Sequence, residues 1–273
     1  MTVIRPVRHA FTVDVEDWYQ GILIDDATRA TAERRLDRGV NLILEMLAEH
    51  DARGTLFLLG PVAIEHAALV RRIAEAGHEI GCHGWSHDLL YTMTPKRFRE
   101  ETRRAMGAIS DLTGRPVTAY RAAYFSITRA SWWTLDVLAG LGFRYDSSIF
   151  PVRNWRYGIP DFEPRPQTVQ TPSGPILEFP LSLRRIAGRN LAVSGGAYFR
   201  IYPYAFTRSN FRALDAAGKS LVFYFILGKL IRSTRAFHSI GRRGSPTTST
   251  SDPRCRACAA CCATIHSVRW GRS

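Results

Sequence analysis

Three glycines constrain this chain more than any other feature. Gly77, Gly142 and Gly218 each close a segment of helical periodicity, and each is followed almost at once by an apolar run. Glycine supplies the left-handed backbone that ends a helix, so each marks a switch from helix to strand. The spacing of Val40, Ile43, Leu44 and Leu47 predicts a helix over 30–50. Further helices are expected over 62–76, 94–112, 128–142 and 203–217, with Thr94 and Pro95 as N-cap and first helical residue. Apolar, β-branched runs predict strands over 9–14, 55–59, 78–83, 116–121, 143–146 and 220–225. Repeated strand-then-helix units imply an α/β fold of parallel strands with helices outside. Periodicity does not decide whether the sheet closes into a barrel. Residues 151–180, rich in Pro, Gly and aromatics, read as a long loop with short strands.

In parallel α/β folds the C-terminal ends of the strands gather the functional residues. The first expected strand ends in Asp14, Glu16 and Asp17, and the third in His83 and His87. Two imidazoles and a carboxylate can hold one divalent metal with positions left open for water, the form of a hydrolytic site. A second carboxylate nearby would serve as general base. The fourth strand ends at Arg121, a fixed charge able to orient that base, and the fifth at Asp146. Taken singly, each is as compatible with capping, turns or solvation; their recurrence at successive strand ends is what points to a site. His78 is expected to be structural, and His9, His50 and His66 solvated.

The runs DVEDW (14–18), GHEIGCHGWSH (77–87) and YRAAYFSIT (120–128) resemble the first three motifs of the polysaccharide deacetylases, the NodB-homology domain of carbohydrate esterase family four. RYDSSIFP (144–151) and YGIPDF (157–162) resemble a branch associated with exosortase-linked exopolysaccharide loci. The resemblance covers about residues 8–225. It implies a distorted (β/α) barrel with about seven parallel strands. It also implies a divalent metal, commonly zinc, and hydrolysis of N-acetyl groups on a polysaccharide or lipid-linked glycan. Carried over, His83 and His87 become metal ligands, with either Glu16 or Asp17 as the metal carboxylate. Asp14 becomes the general base, Arg121 tunes it, and the Tyr124 backbone N–H helps bind the oxyanion. Trp18 and Asp146 fall among expected substrate contacts. Where the family motif has proline this chain has Ala123. Alternative readings are a hydrolase of another non-peptide C–N bond, or an inactive carbohydrate-binding relic.

The family's leaving-group acid is a histidine at the end of the last barrel strand. In this branch that strand usually continues His-Pro-Trp-Glu-Ile-Asp-Pro; here Phe225 is followed by Ile226 and the run Leu227-Gly228-Lys229-Leu230-Ile231-Arg232. Codons for the expected peptide, read with the first base deleted, yield the observed one. The expectation is a frameshift near codon 226, leaving a deacetylase domain over 1–225 and a non-native, disordered tail over 226–273.

Charge supports that division. The net charge is +13, yet the last 48 residues carry nine Lys and Arg against one acid. The rest is at +5, an ordinary surface that argues against a nucleic-acid partner. The tail also carries Cys255, Cys258, Cys261 and Cys262, which read either as a zinc site or as out-of-frame residues. The longest apolar run, 221–227, is too short to span a membrane. Residues 1–11 lack the apolar core of a signal peptide, so a cytoplasmic protein is expected.

Overall fold

The computed structural model describes residues 9–20, 24–186 and 189–228. The tail expected over 226–273, with its cysteines, lies outside the described residues apart from 226–228.

Parallel strands β1 (Ala10–Val15), β2 (Thr55–Leu58), β3 (Glu79–Cys82), β4 (Ala119–Tyr120), β5 (Tyr145–Asp146), β7 (Gly174–Glu178) and β10 (Val222–Ile226) share one sheet. The order is β10-β1-β2-β3-β4-β5-β7, and β6 (Gln167–Thr171) adds an antiparallel edge to β7. Among the described residues the first and last strands, β1 and β10, are neighbours, and the curled sheet forms a half-barrel with seven parallel strands. Helices α2 (Leu36–Glu49), α3 (Gly60–Glu65), α4 (Ala67–Glu75), α5 (Pro95–Thr113), α6 (Trp133–Gly140) and α8 (Tyr204–Ala216) return the chain between strands. The three stop glycines have φ of +81°, +91° and +65°, the left-handed conformation their positions demand. Thr94 caps α5 as expected, its hydroxyl accepting from the Arg97 N–H.

Long-range contacts move several boundaries. The helix expected over 30–50 is two: α1 (Asp26–Thr31) and α2, separated where Asp17 accepts the Arg35 N–H at 2.8 Å. The helix expected over 62–76 breaks at His66, whose ring bonds Asp37 at 2.8 Å. His9 is buried rather than solvated. Its Nδ1 accepts from the Leu221 N–H at 3.1 Å and its Nε2–H donates to Asp215 at 3.1 Å, which ties β1 to the approach of β10. His78 is structural as expected, its Nδ1 accepting from the Gly54 N–H at 3.3 Å.

The stretch after β7, for which the sequence offered no assigned element, folds as a hairpin of β8 (Leu183–Ile186) and β9 (Arg189–Ala192), then α7 (Gly196–Ile201). It covers the outer edge of β10. Tyr224 donates its N–H to the Ser194 carbonyl at 2.9 Å, and Val222 donates to the Ser182 hydroxyl at 2.7 Å. Only glycine fits at 195: φ is +119°, and a Cβ would lie 2.1 Å from the Tyr224 carbonyl oxygen. The expected junction after Phe225 falls inside β10. Ile226 pairs with Asp14, Leu227 is fully buried, and Gly228 donates its N–H to the Glu16 carbonyl at 2.8 Å.

Candidate active site

Strand periodicity assembles the first half of the site. Asp14 and Glu16 are two apart at the end of β1 and project to the same side, whereas Asp17 projects to the other. Asp17 is buried and fully used: Oδ1 accepts from the Trp18 N–H and Oδ2 from the Arg35 N–H, both at 2.8 Å. It holds the chain turn and the start of α2. Trp18, half-buried in the following 3-10 turn, donates its indole N–H to the Glu33 carbonyl at 3.2 Å.

His83 directly follows β3 and His87 ends the next tight loop, where Gly84 has φ +93° and His87 itself φ +61°. A non-glycine residue pays a steric cost at that angle, and the imidazole it carries is buried. His83 donates Nδ1–H to the Arg121 carbonyl at 2.8 Å, and His87 donates Nδ1–H to the Gln20 carbonyl at 2.9 Å. A carbonyl only accepts, so both rings carry the proton on Nδ1 when neutral and present Nε2 to the cluster. Nε2 of His87 lies 2.5 Å and Nε2 of His83 3.9 Å from Glu16 Oε2. Burial holds the His83 pKa down. Burial also acts to lower that of His87, but the Glu16 charge and hydrogen bond prevail and raise it.

These three side chains fit a divalent metal. Their ligand atoms all lie within 4.8 Å of one another, and His₂–carboxylate is a zinc-type donor set. Metal–ligand bonds of about 2.0–2.2 Å in a tetrahedron put ligand atoms roughly 3.3 Å apart, between the two Glu16–His separations. Asp17 is not part of the cluster.

Arg121 follows β4 and is fully buried. Its Nη1 donates to Asp14 Oδ1 at 3.0 Å and Thr12 Oγ1 at 2.8 Å; Nε donates to the Ser147 carbonyl at 3.0 Å and Nη2 to Ser147 Oγ at 2.8 Å. The guanidinium also lies 4.3 Å over the Phe57 ring. Asp14 is thereby held beside the Glu16–His83–His87 cluster by a rigid cation. Tyr124, in a 3-10 turn with φ +55°, packs its ring 4.8 Å from His87.

Asp146 is not brought to the open face of the site. It is fully buried, accepts from Ser148 Oγ at 2.6 Å, and sits opposite Glu178 across the β5–β7 pair. Burial raises the pKa of both acids, and the Asp146 charge adds to the rise at Glu178. Asp146 Oδ2 and Glu178 Oε2 each lack a donor, and one proton shared between them would satisfy both. Glu178 ends β7, inside the stretch read as a long loop with short strands of no assigned bounds, so strand-end reasoning had no strand end from which to find it.

Family models match two consecutive stretches: polysaccharide deacetylase over residues 21–145 and a domain of unknown function (DUF3473) over 147–227. The chain carries a polysaccharide deacetylase domain. That domain supplies both histidines and Arg121, while Asp14 and Glu16 precede the match and Glu178 lies in the second stretch. The peptidoglycan deacetylase of Helicobacter pylori is 30% identical over 111 residues, 41% of this chain and 37% of that protein. The alignment thus spans well under two thirds of the relative. A structure assigned as a polysaccharide deacetylase from Mycobacterium smegmatis superposes with TM-score 0.66 at 23% identity, covering 98% of this chain and 88% of that one. Another, from Pseudomonas aeruginosa PAO1, gives 0.60 at 18% identity, covering 84% and 80%. At these identities the two structures establish the deacetylase fold. Among the described residues no helix is long and apolar enough to cross a membrane.

Proposed function

We propose that this protein is a metal-dependent polysaccharide N-deacetylase by construction, with turnover limited by a missing acid. The observation that carries the reading is the buried Asp14–Arg121 pair set beside the converging Glu16, His83 and His87. Glu16 rather than Asp17 is the metal carboxylate, because both Asp17 oxygens are committed to backbone N–H groups. A divalent ion held there, most simply zinc, would activate water and polarise the acetamide carbonyl.

Asp14 takes the proton from the attacking water, and Arg121 holds its carboxylate in place for that transfer. The Tyr124 N–H, at the rim beside His87, stabilises the oxygen on which charge develops. The amide C–N bond breaks, acetate forms, and the departing sugar nitrogen needs a proton. Ile226 stands opposite Asp14 on β10 and has none to give. A positioned general acid contributes about 10²–10⁴-fold, so slow turnover is expected. Asp146 acts in support, through the Ser147–Ser148 segment that grips Arg121, rather than on substrate. The substrate class is an N-acetylated amino-sugar polymer or its lipid-linked precursor, in keeping with an exopolysaccharide setting.

The test is acetate release from N-acetylglucosamine oligomers by zinc-loaded protein. Ile226→His should raise the rate at least tenfold, and His87→Ala should abolish zinc binding and rate together. Zinc binding with no acetate release from either the parent or Ile226→His would sink the reading. The alternative of a glycan-binding relic rests on the same residue: if Ile226 has removed turnover altogether, oligomers bind without hydrolysis.

A further inference from the structure

The rim of the site carries an arginine that the deacetylase chemistry does not use. After β5 the chain runs into a loop spanning residues 150–159 that closes on itself. Ile159 and Val152 both donate N–H to the Phe150 carbonyl, at 3.0 and 2.8 Å. Gly158 has φ +105°, and a Cβ there would lie 2.1 Å from the Val152 carbonyl oxygen. Phe150 stacks on Tyr157 at 5.7 Å with only 5° between the rings. The loop is therefore built rather than slack, and it displays Trp155 and Arg156 at its tip.

Trp155 is 84% exposed, an unusual cost for an indole in water. The Arg156 guanidinium lies 4.5 Å over the Trp155 ring and 5.5 Å over the Tyr124 ring, and Tyr124 is the residue that packs on His87. One aromatic ring thus separates Arg156 from the metal-site histidine. The Arg156 N–H is fixed by Asn154 Oδ1 at 2.9 Å. Neighbouring Arg129 and Arg165 pair with Asp161 and Glu163, but among the described residues no carboxylate pairs with Arg156 or Arg153. A stacked guanidinium keeps its N–H edge free for a planar anion.

We propose that Trp155 and Arg156 form a subsite for an acidic glycan: the indole takes the flat face of a sugar ring, and Arg156 takes an anionic group on the sugar next to the acetylated one. This deepens the deacetylase reading and rests on it for the position of the acetylated sugar. The shared ligand chemistry is a carboxylate or phosphate oxygen group. It arises from a uronic acid in the polymer or from the diphosphate of an activated precursor.

The experiment is calorimetric titration of the zinc-loaded full chain with three probes. These are a tetrasaccharide alternating glucuronate and N-acetylglucosamine, a neutral N-acetylglucosamine tetramer, and a nucleoside-diphosphate N-acetylglucosamine. At least one anionic probe should bind about tenfold more tightly than the neutral one, and which of the two does so names the source of the charge. Arg156→Gln should erase the preference, and Arg156→Lys should keep part of it. Trp155→Ala should weaken all the probes that bind. Equal binding of all three probes, binding of none, or a preference unchanged in Arg156→Gln overturns the proposal. Acetate release is measured on the same probes. A charge preference lost in Arg156→Gln with no acetate from any probe keeps the subsite and fails the deacetylase reading. Acetate release without a charge preference does the reverse.

Discussion

Arg121 is the side chain on which the site and the fold most visibly depend, and its removal makes a quantitative test. The guanidinium is fully buried and donates four hydrogen bonds, to Thr12, Asp14 and twice to Ser147. Arg121→Met keeps much of the volume but strands the Asp14 carboxylate, itself only 3% exposed, with no countercharge at 3.0 Å. Breaking a buried, hydrogen-bonded pair by removing one partner costs about 3–5 kcal/mol. That is a large share of the roughly 5–15 kcal/mol by which a domain is stable. At about 2–4 °C per kcal/mol for a chain of this size, the melting temperature should fall by roughly 6–20 °C. Asp14→Asn leaves the converse fault, a buried cation without its anion. The double variant carries neither buried charge, so its cost should fall short of the sum of the single costs by at least about 2 kcal/mol. The assay is urea unfolding at pH 7 followed by tryptophan fluorescence, with chelator present so that metal binding does not add stability by mass action. Additivity within about 0.5 kcal/mol would refute the argument, since it would mean that Asp14 and Arg121 do not compensate one another.

Two further perturbations follow from the same geometry. Burial pushes the Glu79 pKa up to about 7 against the Thr55 hydroxyl that donates to it at 2.7 Å. The folded state therefore holds the proton that the unfolded chain releases near 4.5, and stability is lost as pH rises from about 4.5 through 7. Glu79→Gln should be more stable than the parent by about 1–2 kcal/mol at pH 8, the full linkage being trimmed by partial exposure. The difference should vanish near pH 4, and a constant difference across thermal melts at both pH values would contradict the assignment. Neighbouring His78, whose pKa burial lowers to about 4, destabilises in the opposite direction as pH falls below 6.5, and does so equally in both proteins. Gly195→Ala places a Cβ 2.1 Å from the Tyr224 carbonyl oxygen at a φ of +119°. It should cost at least about 2 kcal/mol and speed amide exchange at Tyr224, whereas a silent substitution would show that the covered edge of β10 is not structurally required.

Local sequence determined the architecture because its signals are local. A glycine at +81° ends a helix wherever the chain goes next, and runs such as TLFL are strands because both faces of a parallel sheet are buried. The same logic gathered most of the candidate site: strand ends converge in a parallel sheet, so the grouping of Asp14, His83, His87 and Arg121 with one further acid was legible in the sequence. The choice between Glu16 and Asp17 was not. Adjacent acids look alike in sequence, and they separate only when the pleat turns one toward the imidazoles and two distant N–H groups claim the other. Asp146 differs from an open-site carboxylate for a similar reason, since Glu178 meets it from 32 residues away through a strand without helical or alternating signal. The burial of His9 and the breaks at Arg35 and His66 likewise depend on partners far along the chain. Sequence set which groups lie at the strand ends; tertiary packing decided which of them face one another, because proton sharing, tautomers and ion pairs depend on distances that no local pattern encodes.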